Sequence, residues 1–561
     1  MSSDDSDALF QPDMSLIDKS QFVGLSKNDA RKRIQDRIEE AIKALRTLGA
    51  SQNELAPFHV LADELLTDIF LYVRAVESET SYTHRTSRRW MRLSWVCRRW
   101  RNVALRSQLL WSKVEASNIE LAEMFLQRSG TAPASFQLSP MFGPIESERT
   151  RRYIDMIAQH ANHIAELDIA MHDPDVMKVF IDEIGSFSYS RLLKLSLLLP
   201  DKQIIANPLP EVRFYRSGLD VYLREFKLHR ISFPWTPFSG TQLRRLILQN
   251  PDNHTCSCPS ASEFVDVLEG CPQLEAIRLH WQGPTLSPHL DMYPEPSRTV
   301  KLDRLRNIGI FNEPLVIAYI LAHLDFPSST KIELFCEIDF QSSGVDKILP
   351  RGNKLEVLSV LESITFEMAD GFGAGVNWPF FTEIISIKCD GDQQGGIDIL
   401  FRPKGLLSLY DLIPMVFRSS PTLFPLSPIK SMKVLSRYTM LTTEDWRTVL
   451  SFYSRTLENL TLNHEHSDSV ESAILRFLEI LRAPQEEMEP VICPNLASLH
   501  LLQVTAGDDY AGALTHCFRS RFERGLKLPH LTFGEPMDWC GEKEWECPDL
   551  TAFVEDVDYM E

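Results

Sequence analysis

Cysteine and histidine are the residues here most able to bind a metal, and four of them lie close together. His254, Cys256, Cys258 and Cys271 have the right number for a zinc site. Zinc sites usually place two cysteines two to four residues apart and then repeat the pair, and this segment does not repeat it. We therefore favour a surface loop over a metal site.

Other motifs for metal binding, phosphate binding and covalent catalysis are weaker still. Cys540 and Cys547 form an isolated pair, and the sequence has no Gly-x-Ser-x-Gly elbow and no Walker loop. The glycine-rich segment 371–375 is followed by VNWPFF instead of a capped helix, so we interpret it as a turn-rich insertion. Cys97 lies on an apolar helical stripe without a neighbouring histidine, which predicts a buried structural thiol.

Histidines 229 and 280 directly follow two predicted strands, and we expect them on or beside an exposed surface where they could contact a ligand. Taken together, these patterns predict no catalytic residue, no cofactor and no metal, and a protein that is not an enzyme. The alternative is an enzyme with a degenerate active site, which needs ionisable groups converging in one deep pocket.

Composition and charge exclude several classes of function. The chain has 561 residues, 44% hydrophobic and 24% charged, with a net charge of -19. An acidic chain lacks the basic face that nucleic acids require, so we expect no nucleic-acid partner. No apolar run is long enough to cross a membrane, and the acidic N-terminus argues against a signal peptide. Ten scattered cysteines then indicate reduced thiols and a cytoplasmic or nuclear location.

The N-terminal region contains one clear helix. Residues 1–27 are polar and predicted to be disordered, and residues 28–49 form an amphipathic helix that ends at Gly49. Its apolar residues recur at steps of three, four and seven, with charges between them: Ile34, Ile38, Leu45 and Leu48. Two interpretations remain open, a helix that packs on its own domain and a short dimerising coiled coil.

Residues 57–112 form a separate helical block. A first helix, a polar loop at about 77–87 and a second helix are predicted from the apolar spacing. The first helix has one apolar face, Leu65, Leu66, Ile69, Phe70 and Val73. The second has one apolar stripe, Leu93, Val96, Cys97, Trp100, Val103 and Ala104. Seven arginines crowd the remaining positions, Arg88, Arg89, Arg92, Arg98, Arg99, Arg101 and Arg106.

From about residue 160 a different pattern recurs, in which apolar residues occupy the first, fourth and sixth positions of short segments. The strong copies are Ile164-Leu167-Ile169, Leu192-Leu195-Leu197, Leu223-Phe226-Leu228, Leu243-Leu246-Leu248, Leu274-Ile277-Leu279, Leu305-Ile308-Ile310, Leu355-Leu358-Val360, Leu457-Leu460-Leu462 and Leu496-Leu499-Leu501. Weaker copies are Ile429-Met432-Val434 and Ile385-Ile387-Cys389.

The spacing of these segments indicates a repeat. The distances from Leu192 to Leu223, from Leu243 to Leu274 and from Leu274 to Leu305 are each 31 residues, and helix-like stretches lie between the copies. One strand plus one helix cannot bury its apolar face alone, so neighbouring units must stack. We predict a curved solenoid over 160–530, with a generic α/β domain as the alternative. Residues 113–159 are predicted as a linker and 531–561 as an acidic tail.

The helical block resembles the F-box motif, particularly as found in large families of mushroom-forming fungi. The resemblance rests on LADELLTDIFLYV (61–73), RLSWVCRRWRNVAL (92–105) and LLW (109–111), and on the later Arg128-Ser129-Gly130. The repeat region shows a looser, leucine-rich-repeat likeness. The fold class that follows is a small helical F-box domain followed by a leucine-rich-repeat-like solenoid of parallel strands and helices.

The resemblance implies the substrate-recognition subunit of a ubiquitin ligase. The F-box of such a protein docks on a Skp-family adaptor that links it to a cullin, and the repeats hold a protein substrate. The arginines would complement an acidic adaptor. The implied adaptor-binding residues are Leu61, Leu65, Leu66, Ile69, Phe70, Val96, Cys97, Trp100 and Arg101. The alternative is a scaffold that binds the adaptor but works outside the ligase.

Overall fold

A computed structural model describes residues 23–80, 89–139, 147–187, 189–200, 210, 212, 222–233, 235, 242–249, 259–280, 296, 298–338, 344–350, 355–370, 383–391, 395–405, 407–435, 440–463, 470–484, 490–502, 508–534 and 550–559. The chain is mixed α/β, with 13 α-helices in the described part and a large, mostly parallel sheet. It divides into two compact units. The first comprises residues 1–113 and 125–132, and the second comprises 114–124 and 133–561.

The first unit is helical. Its α-helices are α1 (Lys27–Glu54), α2 (Asp63–Thr80), α3 (Leu93–Val96) and α4 (Arg98–Arg106), with short 3-10 helices at Pro57–Val60, Arg89–Arg92 and Gln108–Trp111. The predicted amphipathic helix is present, but it continues five residues beyond Gly49 to Glu54. A glycine inside a helix costs only about 1 kcal/mol relative to alanine. The helix runs through this glycine, so the predicted end at Gly49 was wrong.

The predicted second helix of the block is interrupted at Cys97. This residue has extended backbone angles (φ -153°, ψ 171°) and separates α3 from α4. Its Sγ accepts a hydrogen bond from the Trp100 backbone N–H at 3.4 Å, which caps the start of α4. Val96 and Trp100 therefore belong to different helices, and the prediction of one continuous apolar stripe was wrong. Cys97 is also only half-buried, not the buried thiol that we predicted.

Aromatic side chains fill the core of the first unit. Trp90, Trp111 and Phe125 make mutual edge-to-face contacts with ring centroids 5.0 to 6.1 Å apart. The Trp111 indole N–H donates to the Ala104 carbonyl at 2.8 Å, and the Arg128 guanidinium lies 4.4 Å from the Trp111 ring centroid. Bulky rings that also satisfy their polar groups can give a small domain a well-defined core. The other buried members are Leu66, Phe70, Val103, Ala104, Leu110 and Leu126.

The second unit alternates strands with helices. Its strands are β1 (Lys113–Glu115), β2 (Ala134–Leu138), β3 (Ile164–Ala170), β4 (Lys194–Leu198), β5 (Glu225–His229), β6 (Arg245–Gln249), β7 (Ala276–His280), β8 (Val300–Lys301), β9 (Asn307–Phe311), β10 (Leu324–Asp325), β11 (Lys331–Ile338), β12 (Leu361–Asp370), β13 (Glu383–Gly391), β14 (Gly396–Pro403), β15 (Ser431–Leu435), β16 (Asn459–Asn463), β17 (Ser498–Leu502), β18 (Leu528–Phe533) and β19 (Val554–Tyr559). Its helices are α6 (Ser147–His160), α7 (Pro174–Ile184), α8 (Ala261–Glu269), α9 (Pro314–Ala322), α10 (Leu409–Leu423), α11 (Thr443–Tyr453), α12 (Val470–Leu481) and α13 (Asp508–Glu523), and α5 (Ile119–Ser129) contributes to both units.

One sheet contains every strand except β8 and β10, which pair with each other. Its spatial order is β1, β2, β3, β4, β5, β6, β7, β9, β11, β14, β13, β12, β15, β16, β17, β18, β19. Leu246 lies opposite Ile277, and Ile277 opposite Ile308, in parallel register. The prediction that these segments form neighbouring parallel strands is confirmed.

Two predicted strands differ from the structure. The segment Leu355-Leu358-Val360 precedes a strand: residues 356–360 form a 3-10 helix, and β12 begins at Leu361. The segment Ile385-Ile387-Cys389 does form a strand, but β13 runs antiparallel between β14 and β12. Apolar spacing reports which side chains are buried, and it contains no information about the direction of a strand.

The predicted linker and tail both contain regular structure. Within 113–159 the chain forms β1, α5, β2 and α6, and β2 buries Ala134, Phe136 and Leu138 in strict alternation. In the tail, β19 pairs with β18 in parallel. These elements extend the sheet at its two ends, where a short strand needs few apolar residues of its own. No helix in the described part of the chain is both long and apolar enough to cross a bilayer.

Local sequence signals start the helices that pack on the sheet. Ser260 and Glu263 form a reciprocal capping box before α8, and Thr442 and Asp445 form another before α11. Each box satisfies two backbone donors that the first helical turn leaves open. Behind the second box, Trp446 is fully buried, with ring contacts to neighbouring helices at 5.0 and 5.1 Å.

Candidate docking surface

Helix α2 has two apolar faces with opposite roles. Leu66 and Phe70 are buried, with 1% and 0% of their surface exposed, and they anchor the helix in the core of the first unit. Leu65, Ile69 and Tyr72 lie at positions i, i+4 and i+7 on the adjacent face, and they expose 51%, 43% and 71% of their surface. We call these three residues the α2 outer stripe. Large apolar side chains clustered at helical spacing on a surface mark a site for a partner.

Trp100 and Arg99 position the start of α2. The Trp100 ring packs between Phe58, at 6.0 Å, and Phe70, at 5.1 Å. The Arg99 guanidinium donates to the carbonyls of His59 and Leu61. These contacts connect α4 with the segment that leads into α2, so they fix the position of the outer stripe relative to the core.

Arg99 also pairs with the Asp63 carboxylate at 2.8 Å, at the first residue of α2. A negative charge in the first turn of a helix is favourable because the helix N-terminus carries partial positive charge. Arg99 is therefore engaged inside its own unit, and it does not belong to the pool of arginines available to a partner.

The end of the helical block is held by Arg74 of α2. Its guanidinium donates to the carbonyls of Leu109 and Leu110 at 2.6 and 2.9 Å. Leu110 and Trp111 are buried, while Leu109 exposes 50% of its surface. The LLW segment thus closes the core of the first unit through two residues and presents one leucine to solvent.

The nine residues implied to bind the adaptor fall into three groups. Leu65, Ile69, Val96 and Arg101 are exposed, and Leu61, Cys97 and Trp100 are half-buried. Leu66 and Phe70 are buried in the core of the unit, where they can support a docking surface but cannot form it. The prediction placed all the apolar residues of one helix face in one set because spacing alone does not separate adjacent faces.

Some exposed apolar residues were missing from the prediction. Tyr72 lies two turns after Leu65 on the same stripe, and this spacing was a signal that could have identified it. Trp95, in the short helix α3, exposes 69% of its surface.

Among the arginines, Arg101 donates to the Ser94 carbonyl at 3.0 Å, and Arg98 and Arg106 are exposed. Arg88 lies outside the described residues.

The sheet of the second unit offers a second surface. On one of its faces most of the alternate strand positions are half-exposed or exposed, although Ser196 and Thr532 are buried, and we call it the open face. Strand register aligns one row of side chains across it: Asp168, Ser196, Lys227, Ile247, Arg278, Gly309, Glu333, Asp398, Lys388, Thr365, Lys433, Thr461, His500, Thr532 and Asp558. The row is chemically varied, as a surface for specific recognition requires.

Charges on the open face are linked by ion pairs across strands. Arg278 reaches over β9 to Glu333 at 3.6 Å, and Lys331 lies 3.5 Å from Asp398. The residue under the first pair is Gly309, where an added Cβ would lie 3.2 Å from the Arg278 Cγ. A side chain at this position would therefore crowd the arginine, so the glycine leaves room for the pair.

Next to this row lies a small apolar cluster that is separate from the helix-covered core. Phe311 and Phe335 stack with ring centroids 4.4 Å apart, and Leu400 and Ile384 pack beside them. The His280 ring lies 3.8 Å from the Phe311 ring centroid. We call these five residues the open-face cluster.

Burial, together with the nearby charges of His229, Arg402 and Arg278, lowers the pKa of His280 to about 3. Its imidazole is therefore neutral at physiological pH. Register places His229 and His280 in one row of the open face, separated by the strand β6. Both residues thus lie on this face, but they are half-buried and not exposed as we expected.

Thiol chemistry is disfavoured at four of the cysteines that the structure describes in the second unit. Burial raises the pKa of Cys336 and Cys389 well above its usual value, and it raises that of Cys493 and Cys517 to about 12. A nucleophilic cysteine needs the opposite shift.

In the ranges that the structure describes, no three His, Cys, Asp or Glu residues are arranged to hold a metal. Of the candidate zinc ligands, Cys271 is buried, while His254, Cys256, Cys258, Cys540 and Cys547 lie outside the described residues. The glycine-rich segment 371–375 also lies outside them.

Comparison with known proteins gives no family assignment. No protein-family model and no curated protein matches the chain.

Proposed function

We propose that the chain is an F-box protein that recruits substrates to a Skp–cullin ubiquitin ligase. In this proposal the first unit binds the Skp-family adaptor and the second unit binds a protein substrate. The chain itself performs no chemistry, and it works where the ligase works, in the cytoplasm or the nucleus.

The observation that carries the proposal is the α2 outer stripe. Leu65, Ile69 and Tyr72 form a contiguous apolar surface on a small unit that already has a filled core. Exposing such a surface to water is unfavourable, so a partner that covers it gains the free energy of its burial. The stripe lies in the part of the sequence that resembles the adaptor-docking helix of an F-box.

Other features of the first unit support docking at this surface. Trp100 and Arg99 fix the entry to α2, as described above. Val96 and Trp95 expose further apolar surface in α3, and Arg98 and Arg106 add exposed positive charge. Exposed positive charge on the same unit suits an acidic partner, because it speeds encounter without needing to be buried.

The open face of the sheet is the surface that we assign to substrate. The parallel order of the strands, with helices between them, supports a leucine-rich-repeat-like solenoid as the architecture of the second unit. In such an architecture the alternate strand positions face a single surface. The open-face row and the open-face cluster supply both polar and apolar groups there for recognition of a protein segment.

Single charge insertions in the α2 outer stripe test the proposal. Replacing Leu65→Asp or Ile69→Asp places a carboxylate in a desolvated interface, and truncating a central anchor alone costs at least about 2 kcal/mol. We expect a loss of adaptor capture of at least about 30-fold in a pull-down. Ala75→Asp is the matched control, since this exposed α2 residue lies off the stripe.

Thermal melting of the same variants separates docking from folding. Because Leu65 and Ile69 are exposed, both variants should melt close to wild type, as surface substitutions usually do. Adaptor capture retained by both variants would reject the α2 outer stripe as the docking surface. If a cullin co-purifies with the adaptor, the chain acts in a ligase; the adaptor without a cullin indicates a scaffold outside it.

A further inference from the structure

Helix α1 is long and amphipathic, yet it buries none of its side chains. It spans 28 residues from an N-cap at Ser26, and none of its side chains is buried. Ile34, Ile38, Leu45 and Leu48 each expose between 46% and 68% of their surface. The sequence left two interpretations open, a helix that packs on its own domain and a coiled coil. The exposure of these side chains does not support the first.

The exposed residues follow a strict coiled-coil period. Together with the exposed Ala41, they are separated by four, three, four and three residues, which is the spacing of heptad positions a and d. This period of 3.5 residues keeps a stripe facing a second helix, whereas a helix that packs on an irregular domain surface follows 3.6. We call these five residues the α1 seam.

Between residues 34 and 48 no charged residue occupies a seam position, and the preceding a position is Arg31, so the seam begins at Ile34. The heptad places acidic and basic residues on the outer positions b, c and f: Asp29, Lys32, Arg33, Asp36, Glu39, Glu40, Lys43 and Arg46. Within the span of the seam, the flanking positions e and g are Gln35, Arg37, Ile42 and Ala44, so only one of them is charged.

The flanking positions indicate which partner fits. In heterotypic coiled coils, opposite charges at e and g select a different chain. Here a parallel, in-register pair of identical helices places Arg37 of one copy beside Ile42 of the other, with no like-charge contact. Between Ile34 and Leu48, self-pairing therefore brings no like charges together, and Ile42, which is 41% exposed, adds to the apolar area covered.

We propose that α1 is a dimerisation helix that pairs, parallel and in register, with α1 of a second copy of this chain. The proposal does not depend on adaptor binding. The seam covers two heptads, so the pair would reach only the low end of interface areas, about 1,000 Å². The dimer is therefore weak and reversible, with assembly controlled by the concentration of the protein.

Sedimentation equilibrium of the full chain, from about 1 to about 100 µM, tests the proposal. The expected result is a reversible monomer–dimer equilibrium. Leu45→Asp places two carboxylates in the seam of the pair and should weaken dimerisation at least about tenfold. Thr47→Asp introduces the same charge on the outer face of the same turn, and it should leave the equilibrium unchanged.

Cysteine cross-linking tests the register. Ala41→Cys lies at a d position and should form an intermolecular disulfide on mild oxidation, whereas Lys43→Cys at an outer position should not exceed the wild-type background. A chain that stays monomeric throughout the concentration range overturns the proposal. So does a dimer that Leu45→Asp and Thr47→Asp affect equally. Circular dichroism and adaptor capture of the Leu45→Asp variant, expected to match wild type, show that the loss is not one of folding.

Discussion

Replacing Arg99→Ala should destabilise the first unit far more than replacing its neighbour Arg98→Ala. The Arg99 guanidinium, 26% exposed, donates to two backbone carbonyls and pairs with Asp63, whose side chain is 57% exposed. A hydrogen bond from a charged donor contributes about 1.5–3 kcal/mol when buried, and partial exposure reduces this to about 1 kcal/mol for each carbonyl. The exposed ion pair adds about 0.5 kcal/mol.

These contributions sum to a loss of about 2.5 kcal/mol in the free energy of unfolding of the first unit. Arg98 is exposed, and its replacement should change stability by less than about 0.5 kcal/mol. Urea unfolding followed by hydrogen exchange of peptides from 57–75 measures this change for the unit concerned. Equal effects of the two substitutions would refute the conclusion that Arg99 fixes the entry to α2.

Three further predictions concern pH, the core and electrostatic steering. The unfolded chain protonates His280 near its usual pKa of 6.5 and the folded chain only near 3, so stability should fall as pH drops below about 6.5. The loss should reach about 2 kcal/mol at about pH 5 in urea melts, and His280→Gln should lack it. Trp446→Ala should cost about 3–5 kcal/mol in the same assay, because the ring is fully buried, whereas Phe452→Ala, 46% exposed, should cost less than about 1 kcal/mol. The rate of adaptor association, measured by stopped flow, should fall as the salt concentration rises. Replacing Arg98 and Arg106 by alanine should make this rate less dependent on salt. A rate that salt does not change would exclude steering by these arginines.

Apolar spacing predicted the central strands well because each of them buries residues on one face only. Leu246, Ile277 and Ile308 occupy equivalent positions in successive parallel strands, as their equal separations indicated. The same reasoning could not predict the meander of β12, β13 and β14. Its middle strand also has apolar residues at alternate positions, Ile385, Ile387 and Cys389, and only the backbone pairing shows that it runs in the opposite direction.

The candidate docking surface was predictable in position but not in detail. The spacing of Leu65 and Ile69 placed them on one helical face, and the structure leaves both of them exposed. The sequence did not separate them from Leu66 and Phe70, because neighbouring faces of one helix differ by only about one residue step. The sequence also could not predict that Arg99 bonds within its own unit, because backbone carbonyls accept its hydrogen bonds and every residue has one.

Titration of the purified full chain with a purified Skp-family adaptor tests the central claim most directly. The account predicts a one-to-one complex of submicromolar affinity, about 8 kcal/mol or more of binding free energy. It also predicts slower amide exchange in the complex for α2 and for the segment 95–101. No binding at up to about 100 µM adaptor, or protection confined to the second unit, would contradict the account.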